Sequence, residues 1–286
     1  MKHFDDIQDD EIRIISRQVT HTKPFYRRWW FYVAIVALAL LVAMAVMLMS
    51  RISDSPKGPE QPAEVKPVAP TTSPSEPPAV HVCDTFINDV PLHLYTPVNV
   101  VPELCVGVPD TEDISIRLAL QAADIRADNQ EIVGAFVLKG ELLSKGSAKK
   151  GFCAILGGKI YVGMGERTSL LEETITHDGY FFRQYPLVSQ GHMVESKPKN
   201  KAVRRALCEV DGQIVVVCSK TRESFHDFSQ ALVDLGVQNA IYLTGGYACG
   251  FCRDIDVLDE SWGDMKQMKE YPNVNFILWR SAVPNQ

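Results

Sequence analysis

The pattern of apolar and polar positions divides the chain into three parts. Residues 29–49 (WWFYVAIVALALLVAMAVMLM) form an unbroken apolar run with no charge. At about 1.5 Å per residue it is long enough to cross a hydrocarbon core of roughly 30 Å. Lys23, Arg27 and Arg28 precede it, and only Arg51 follows closely. The positive-inside rule therefore predicts an uncleaved single-pass anchor in the lipid bilayer of the inner (cytoplasmic) membrane, with residues 1–28 in the cytoplasm and everything after the span periplasmic or extracellular. A cleaved signal peptide would have a shorter apolar region and a small-residue cleavage site, which MLMSRIS lacks. Residues 50–80 are rich in Pro, Ser, Thr and Glu and poor in large apolar side chains. Such a stretch buries too little surface to offset its ordering entropy, so it is expected to act as a semi-extended spacer of about 3.1 Å per residue.

From residue 81 onward the periodicity is that of a folded domain. Val90–Leu94 and Val98–Val101, punctuated by proline, read as edge strands or irregular chain. Ile114, Leu118, Ala122 and Ile125 recur at helical spacing after a capping Thr111 or Asp113, which predicts a helix. Ile132–Leu138 reads as a strand, Phe152–Leu156 and Lys159–Met164 as a hairpin around Gly157-Gly158, 167–178 as a helix, and Tyr180–Val188 as an aromatic strand interrupted by Pro186. The strand Val203–Val210 turns at Asp211-Gly212 into Gln213–Ser219. A helix from about Glu223 then buries Phe225, Phe228, Leu232 and Leu235 and stops at Gly236. Strand Ala240–Leu243 runs into Gly245-Gly246, and Val274–Trp279 is the last strand. Hairpins mixed with helices predict an α+β domain of mixed β-sheets with packed helices.

Composition changes this picture little. The chain has 286 residues, 46% of them hydrophobic and 22% charged, as in an ordinary folded protein. Its formal net charge of −6 argues against a nucleic-acid partner. All seven cysteines follow the apolar run. Cys249 and Cys252 have the spacing of a redox dithiol without the surrounding thioredoxin pattern, and structural thiols or a bridge are the competing reading. A Cys208–Cys218 bridge is unexpected, because the Asp211-Gly212 hairpin sets Cys208 opposite Val215 and turns Cys218 to the other face. A Cys83–Cys105 bridge stays open.

The segment RRALCEVDGQIVVVCSKTRESFHDFSQALVDLGVQNAIYLTGG resembles the C-terminal half of the phosphodiester glycosidase family, some of whose members remove N-acetylglucosamine from a phosphodiester. The matching residues are Arg205-Ala206 of an Arg-Thr-Ala strand, Asp211-Gly212 of a hairpin, Leu235-Gly236 at a helix end, and Leu243-Thr244-Gly245-Gly246 where the family has Leu-Asp-Gly-Gly. A looser match reaches back to about residue 120. There Asp124-Ile125-Arg126 lies nearest the family's Asn-Gly-Gly-Phe-Phe signature, without its glycines. The resemblance implies a glycosidase of sugar-1-phosphodiesters in envelope glycans, or a non-catalytic glycan- or protein-binding module with the same fold.

The residues themselves suggest how such a ligand could be held. Gly245 and Gly246 can present backbone N–H groups to an anion, with Thr244 and Tyr247 beside them. Arg205 offers a guanidinium fork for phosphate, and Arg183 with Gln184 forms a second donor pair among aromatic residues. Glycosidic acid or base work needs a carboxylate, for which Asp178, Asp254 and Asp256 are the candidates by proximity in sequence. Each has a plainer reading: Gly-Gly as a turn, Arg205 as a paired surface group, the FFRQY stretch as core aromatics. The expected partner is a phosphorylated sugar or glycan, with no cofactor and no metal.

Overall fold

The structure is a computed structural model. It describes residues 65–194, 200–254 and 257–281, and only the backbone of 254 and 257–259. The apolar run 29–49 and the chain up to residue 64 lie outside the described residues. Among those described, no helix is long and apolar enough to cross a membrane.

In chain order the strands are β1 (Ala79–Ile87), β2 (Val90–Val98), β3 (Val100–Val106), β4 (Ile116–Gln121), β5 (Phe136–Leu138), β6 (Glu141–Ser144), β7 (Gly151–Leu156) and β8 (Lys159–Met164). After helix α1 (Leu170–Thr176) come β9 (Tyr180–Gln184), β10 (Pro186–Ser189), β11 (His192–Met193), β12 (Arg205–Val210) and β13 (Gln213–Ser219). Helix α2 (Phe225–Asp234) leads to β14 (Val237–Leu243), β15 (Gly250–Asp254), β16 (Val257–Trp262), the single-turn α3 (Met265–Met268) and β17 (Asn275–Ser281).

These strands make three sheets, ordered β1-β2-β13-β12-β14-β10-β11, β16-β15-β4-β17-β3 and β6-β5-β9-β7-β8. The predicted α+β class with packed helices is therefore corrected: this is a mostly β protein. One apolar cluster draws on all three sheets, including Leu118, Leu120, Phe136, Phe182, Leu207 and Trp279. Each sheet covers its outer face with one short helix. α2 puts Phe225, Phe228 and Leu232 on the first, α3 brings Met265 and Met268 to the second, and α1 sets Leu170 against the third.

That plan explains the main misreading. The predicted helix at Thr111–Ile125 is β4, paired on one side with β15 and on the other with β17. Ile116, Leu118, Ala119 and Leu120 are all buried because both faces of β4 are covered. A strand buried on two sides shows an apolar run in place of alternation, and a run can be fitted by helical spacing as readily. The spacer also ends earlier than predicted. Val68 is 4% exposed and exchanges backbone hydrogen bonds with Ile160, while Asn99 donates its N–H to the Thr71 carbonyl. Residues 65–80 thus contribute to the fold.

The second sheet is braced by an ion-pair cluster. Arg280 on β17 pairs with Glu103 on β3 and with Asp113, and its Nη1 donates to Ser115 Oγ at 2.8 Å. Hydrogen bonds from Ser115, then from Arg280, hold the Asp113 carboxyl down at about 2, against a partial opposing effect of burial. Because the folded value lies below the unfolded one, the stabilisation is complete above about pH 4 and is lost as the pH falls towards 2. Arg280→Ala is expected to lower the melting temperature by about 2–4 °C at neutral pH, the equivalent of about 1 kcal/mol for a solvent-screened cluster. Near pH 2 the difference from wild type should shrink, as thermal melts at the two pH values can check.

Candidate functional site

Three strand ends from three sheets converge on one polar cluster. β4 runs out through Ala122 and Ala123 to Asp124, β9 ends at Gln184, and β14 leads into Thr244. Buried Asn275 fixes the first exit: its carbonyls and side chain bond Ala122 N (3.0 Å), Ala123 N (2.8 Å) and Ala123 O (3.2 Å). Gln121 Oε1 accepts Cys249 N at 2.9 Å, and Ala122 O accepts Thr244 N at 3.3 Å, tying the segment after β14 to the end of β4. Satisfied buried polar groups of this kind define a loop position more sharply than apolar packing does.

Asp124 is the centre of the cluster. Its Oδ1 accepts from Gln184 Nε2 and from Thr244 Oγ1, each at 3.0 Å, and its Oδ2 pairs with Lys149. Lys149 also donates to Gln184 Oε1 at 2.8 Å and lies 4.6 Å from the centre of the Tyr185 ring. The lysine side chain is 6% exposed and the aspartate 32%. Burial pulls the Lys149 ammonium below its ordinary value, and Asp124 offsets part of that. An aromatic wall continues from Tyr185 to Phe225 and Tyr242, with the Arg204 guanidinium carbon 4.1 Å from the Phe225 ring centre. The cluster offers one partly exposed carboxylate, two cations and edge-on or tilted aromatic rings, the side-chain types that handle a sugar and an anion.

The residues singled out from sequence are distributed unevenly around this centre. Gln184 and Thr244 are part of it. Gly245 and Gly246 are adjacent, but they form a turn in which Gly246 N donates to Val203 O (2.9 Å) and Ala248 N to Gly245 O (3.2 Å). The Gly246 amide is thus already engaged. Tyr247, next in the chain, is 94% exposed. Arg183 faces away from Gln184 across the pleat and is consumed by backbone carbonyls: Nη1 donates to Gly165 O and Nη2 to Glu166 O, both at 2.8 Å. It locks a loop. Phe181 and Phe182 are core aromatics.

Arg205, the first residue of β12, lies 5.5 Å from the ring centre of Trp262 at the end of β16, whereas Arg204, just before the strand, lies over Phe225 of α2. Asp178 is an exposed turn residue at φ 52°, beyond the far end of β9 from Gln184. At about 3.3 Å per residue the two are separated by roughly 20 Å along the strand, which removes Asp178 from this site. Asp254 closes β15, its side chain outside the described residues, and Asp256 lies outside them altogether.

Asp124 and Lys149 are the functional candidates that sequence reasoning passed over. For Asp124 a weak signal existed, since it lies nearest in the chain to where the family's Asn signature would fall. Lys149 had none, because its approach to Asp124 depends on a turn at φ 67° before β7.

The cysteines leave the chemistry to others. Among the described residues no cysteine forms a disulfide, and Cys249 and Cys252 pack into different apolar clusters. Their place in separate clusters argues against a reactive dithiol, and burial pushes the Cys249 thiol up to about 11. Cys208 and Cys218 likewise lie on opposite faces of their hairpin, with Cys208 opposite Val215. Among the described residues no group of three or more His, Cys, Asp or Glu is arranged to hold a metal ion.

No family model matches the chain, and no curated protein matches it. Among solved structures it is similar to the catalytic domain of zebrafish N-acetylglucosamine-1-phosphodiester alpha-N-acetylglucosaminidase, auto-inhibited by its pro-peptide. The TM-score is 0.54 at 12% identity, covering 76% of this chain and 88% of that one. At fold level this chain is distantly similar to a phosphodiester glycosidase domain. A hypothetical protein from Synechocystis is similar at TM-score 0.45 and 13% identity, covering 71% of this chain and 62% of that one. At 12% identity the likeness to the zebrafish domain shows the fold alone, and membership of the family is not shown.

Gly245 links the cluster to the backbone. A Cβ added there would press on Tyr242 Oη and come within 2.5 Å of Val203 O, a backbone atom that cannot swing aside. Gly245→Ala is expected to destabilise the protein by about 1–3 kcal/mol and to displace Thr244, a change that denaturant melts and amide chemical shifts around Asp124 would register.

Proposed function

We propose that this domain hydrolyses sugar-1-phosphodiesters at the Asp124 cluster. The observation that carries the reading is the hydrogen bond between Asp124 and Thr244. Thr244 stands where the phosphodiester glycosidase signature places Asp, and Asp124 lies nearest the family's Asn signature, so the contact between them supplies one carboxylate from the neighbouring strand end. In the reaction Asp124 takes a proton from a water attacking the anomeric carbon, and the bond from that carbon to the phosphate oxygen breaks. The leaving phosphomonoester is a stable anion that needs no proton in the transition state, so a single carboxylate suffices where an ordinary glycoside would need two. Asp124 then returns its proton to solvent. Lys149 and Gln184 hold the carboxylate in place, and Tyr247 offers an exposed ring for the sugar.

A second reading, a non-catalytic glycan-binding module, is favoured by one feature. Both Asp124 oxygens and the Gly246 amide are already bonded within the protein. Incubation with a hexosamine-1-phosphodiester followed by ³¹P NMR separates the readings. Conversion of the diester resonance to a monoester supports the hydrolase, broadening without conversion supports the module, and an unchanged spectrum rejects both.

With this reading goes a location: the domain held outside the cytoplasm by residues 29–49. The full chain should then stay with membranes through alkaline carbonate, and residues 61–286 should be open to protease only from the far side. Release by carbonate would count against the anchor.

A further inference from the structure

The first sheet carries a second cluster of charged side chains that shares no residue with the Asp124 site. Asp84, His93, Cys218, Arg205 and Leu243 stand side by side across β1, β2, β13, β12 and β14, each directly opposite the next. Beside this row a concavity of about 380 Å³ is lined by His93, Tyr95, Arg205, Lys220, Glu260 and Trp262, among others. That volume lies in the range of small-molecule sites.

The row is unbalanced in one place. Asp84 pairs with both His93 and Lys220. Glu260 accepts from Tyr95 Oη at 2.7 Å and lies 3.3 Å from His93 Nε2. Asp84 is therefore committed to cations, and Glu260 to the Tyr95 hydroxyl. Arg205 is 6% exposed, and among the described residues no carboxylate reaches ion-pair distance of it. Its neighbours are the Trp262 ring and the Cys218 sulfur. Arg205 Nη1 and Trp262 Nε1 are both buried donors with no acceptor. A desolvated guanidinium that lacks a countercharge is destabilising, and an indole N–H without an acceptor adds to the deficit. A ligand that brought two negatively charged oxygens would settle both.

We propose that this concavity binds a small organic anion, whose phosphate or carboxylate group is received by Arg205 and Trp262. Lys220, about half exposed and paired with Asp84, stands at the rim. The guanidinium fork suits either anion, and the volume admits a ligand of monosaccharide size. This inference does not rest on the hydrolase reading: binding here involves no turnover, and the two clusters share no residue, although Arg205 follows Arg204 in the chain and Val203 O accepts Gly246 N.

The test is calorimetric titration of the full chain with inorganic phosphate, acetate and glucose, followed by the same titrations and thermal melts on Arg205→Met and Trp262→Phe. Phosphate or acetate is expected to bind saturably, whichever of the two is stronger naming the head group, while glucose gives no signal. Arg205→Met should weaken binding about tenfold or more, as loss of a charge-assisted hydrogen bond does. Without anion it should melt no lower than wild type, since it removes an unpaired buried charge. A purely structural arginine would give the reverse: no anion binding by wild type and a lower melting temperature in the variant. Equal anion affinity in wild type and variants would also overturn the proposal. Should Arg205→Met not fold, Trp262→Phe, which deletes only the N–H donor, decides the matter alone: weaker anion binding upholds the site, and unchanged binding overturns it.

Discussion

Asp124→Ala is expected to abolish phosphodiester turnover and to destabilise the protein at the same time. Removing the carboxylate takes away the proposed base, a loss of about 10²–10⁴-fold in rate. It also leaves the Lys149 ammonium, 6% exposed, with only Gln184 and a tyrosine ring for company. Breaking a fully buried pair this way costs about 3–5 kcal/mol, and the effect here should be smaller, on the order of 2 kcal/mol, because Asp124 keeps about a third of its side chain in solvent. The double variant Asp124→Ala/Lys149→Met separates the two roles. It should recover most of the stability, since no charge is stranded, and none of the activity. Urea melts and initial rates on the four members of the cycle give both quantities. Additive stabilities would mean that the pair is not coupled.

Trp279→Ala should have the largest effect on stability alone. Trp279 is 2% exposed at the centre of the second sheet, with Pro102 opposite it on β3 and Leu118 on β4. It lines a small cavity together with Val68 and Pro70 of the upstream segment and with Ile160 and Ile214 from the other two sheets. Truncation leaves a cavity where all three sheets meet, for about 3–5 kcal/mol. For a domain of this size that is a fall in melting temperature of roughly 10 °C. Since the same cavity undermines the packing of Val68, proteolysis near residues 65–71 should accelerate in Trp279→Ala. Unchanged proteolysis there would show that this segment is held by other contacts.

How far the sequence could be read depended on whether an element has one wet face. The hairpin of β12 and β13, with its Asp211-Gly212 turn, was legible because turn chemistry is local. So was α2, whose Ser224 caps Asp227 N at 3.0 Å and whose Gly236 at φ 92° ends it. β4 was not legible, because neighbours on both sides and apolar layers on both faces erase alternation. The same covering helices that hide the strands' period made a mostly β protein look like an α+β one. Residues 65–80 were misjudged for a related reason: a proline-rich composition describes the average of a segment, whereas one buried valine, Val68, decides whether it docks. The site followed this division. Thr244 and Gln184 were visible as strand ends beside glycines or aromatics. Their meeting with Asp124 joins residues 60 and 120 positions apart, and nothing local announces it. Arg205 stood out for its charge, yet it lies beside Trp262 and lines a different concavity.

The most direct test of the central claim, that one carboxylate shared across the 124–244 contact performs the chemistry, is to move it back. Turnover of a hexosamine-1-phosphodiester should vanish in Asp124→Asn and return in Asp124→Asn/Thr244→Asp, where the acid sits on the other strand end within the same hydrogen-bonded pair. Full activity in Asp124→Asn, or an inactive double variant that melts like wild type, would contradict the account.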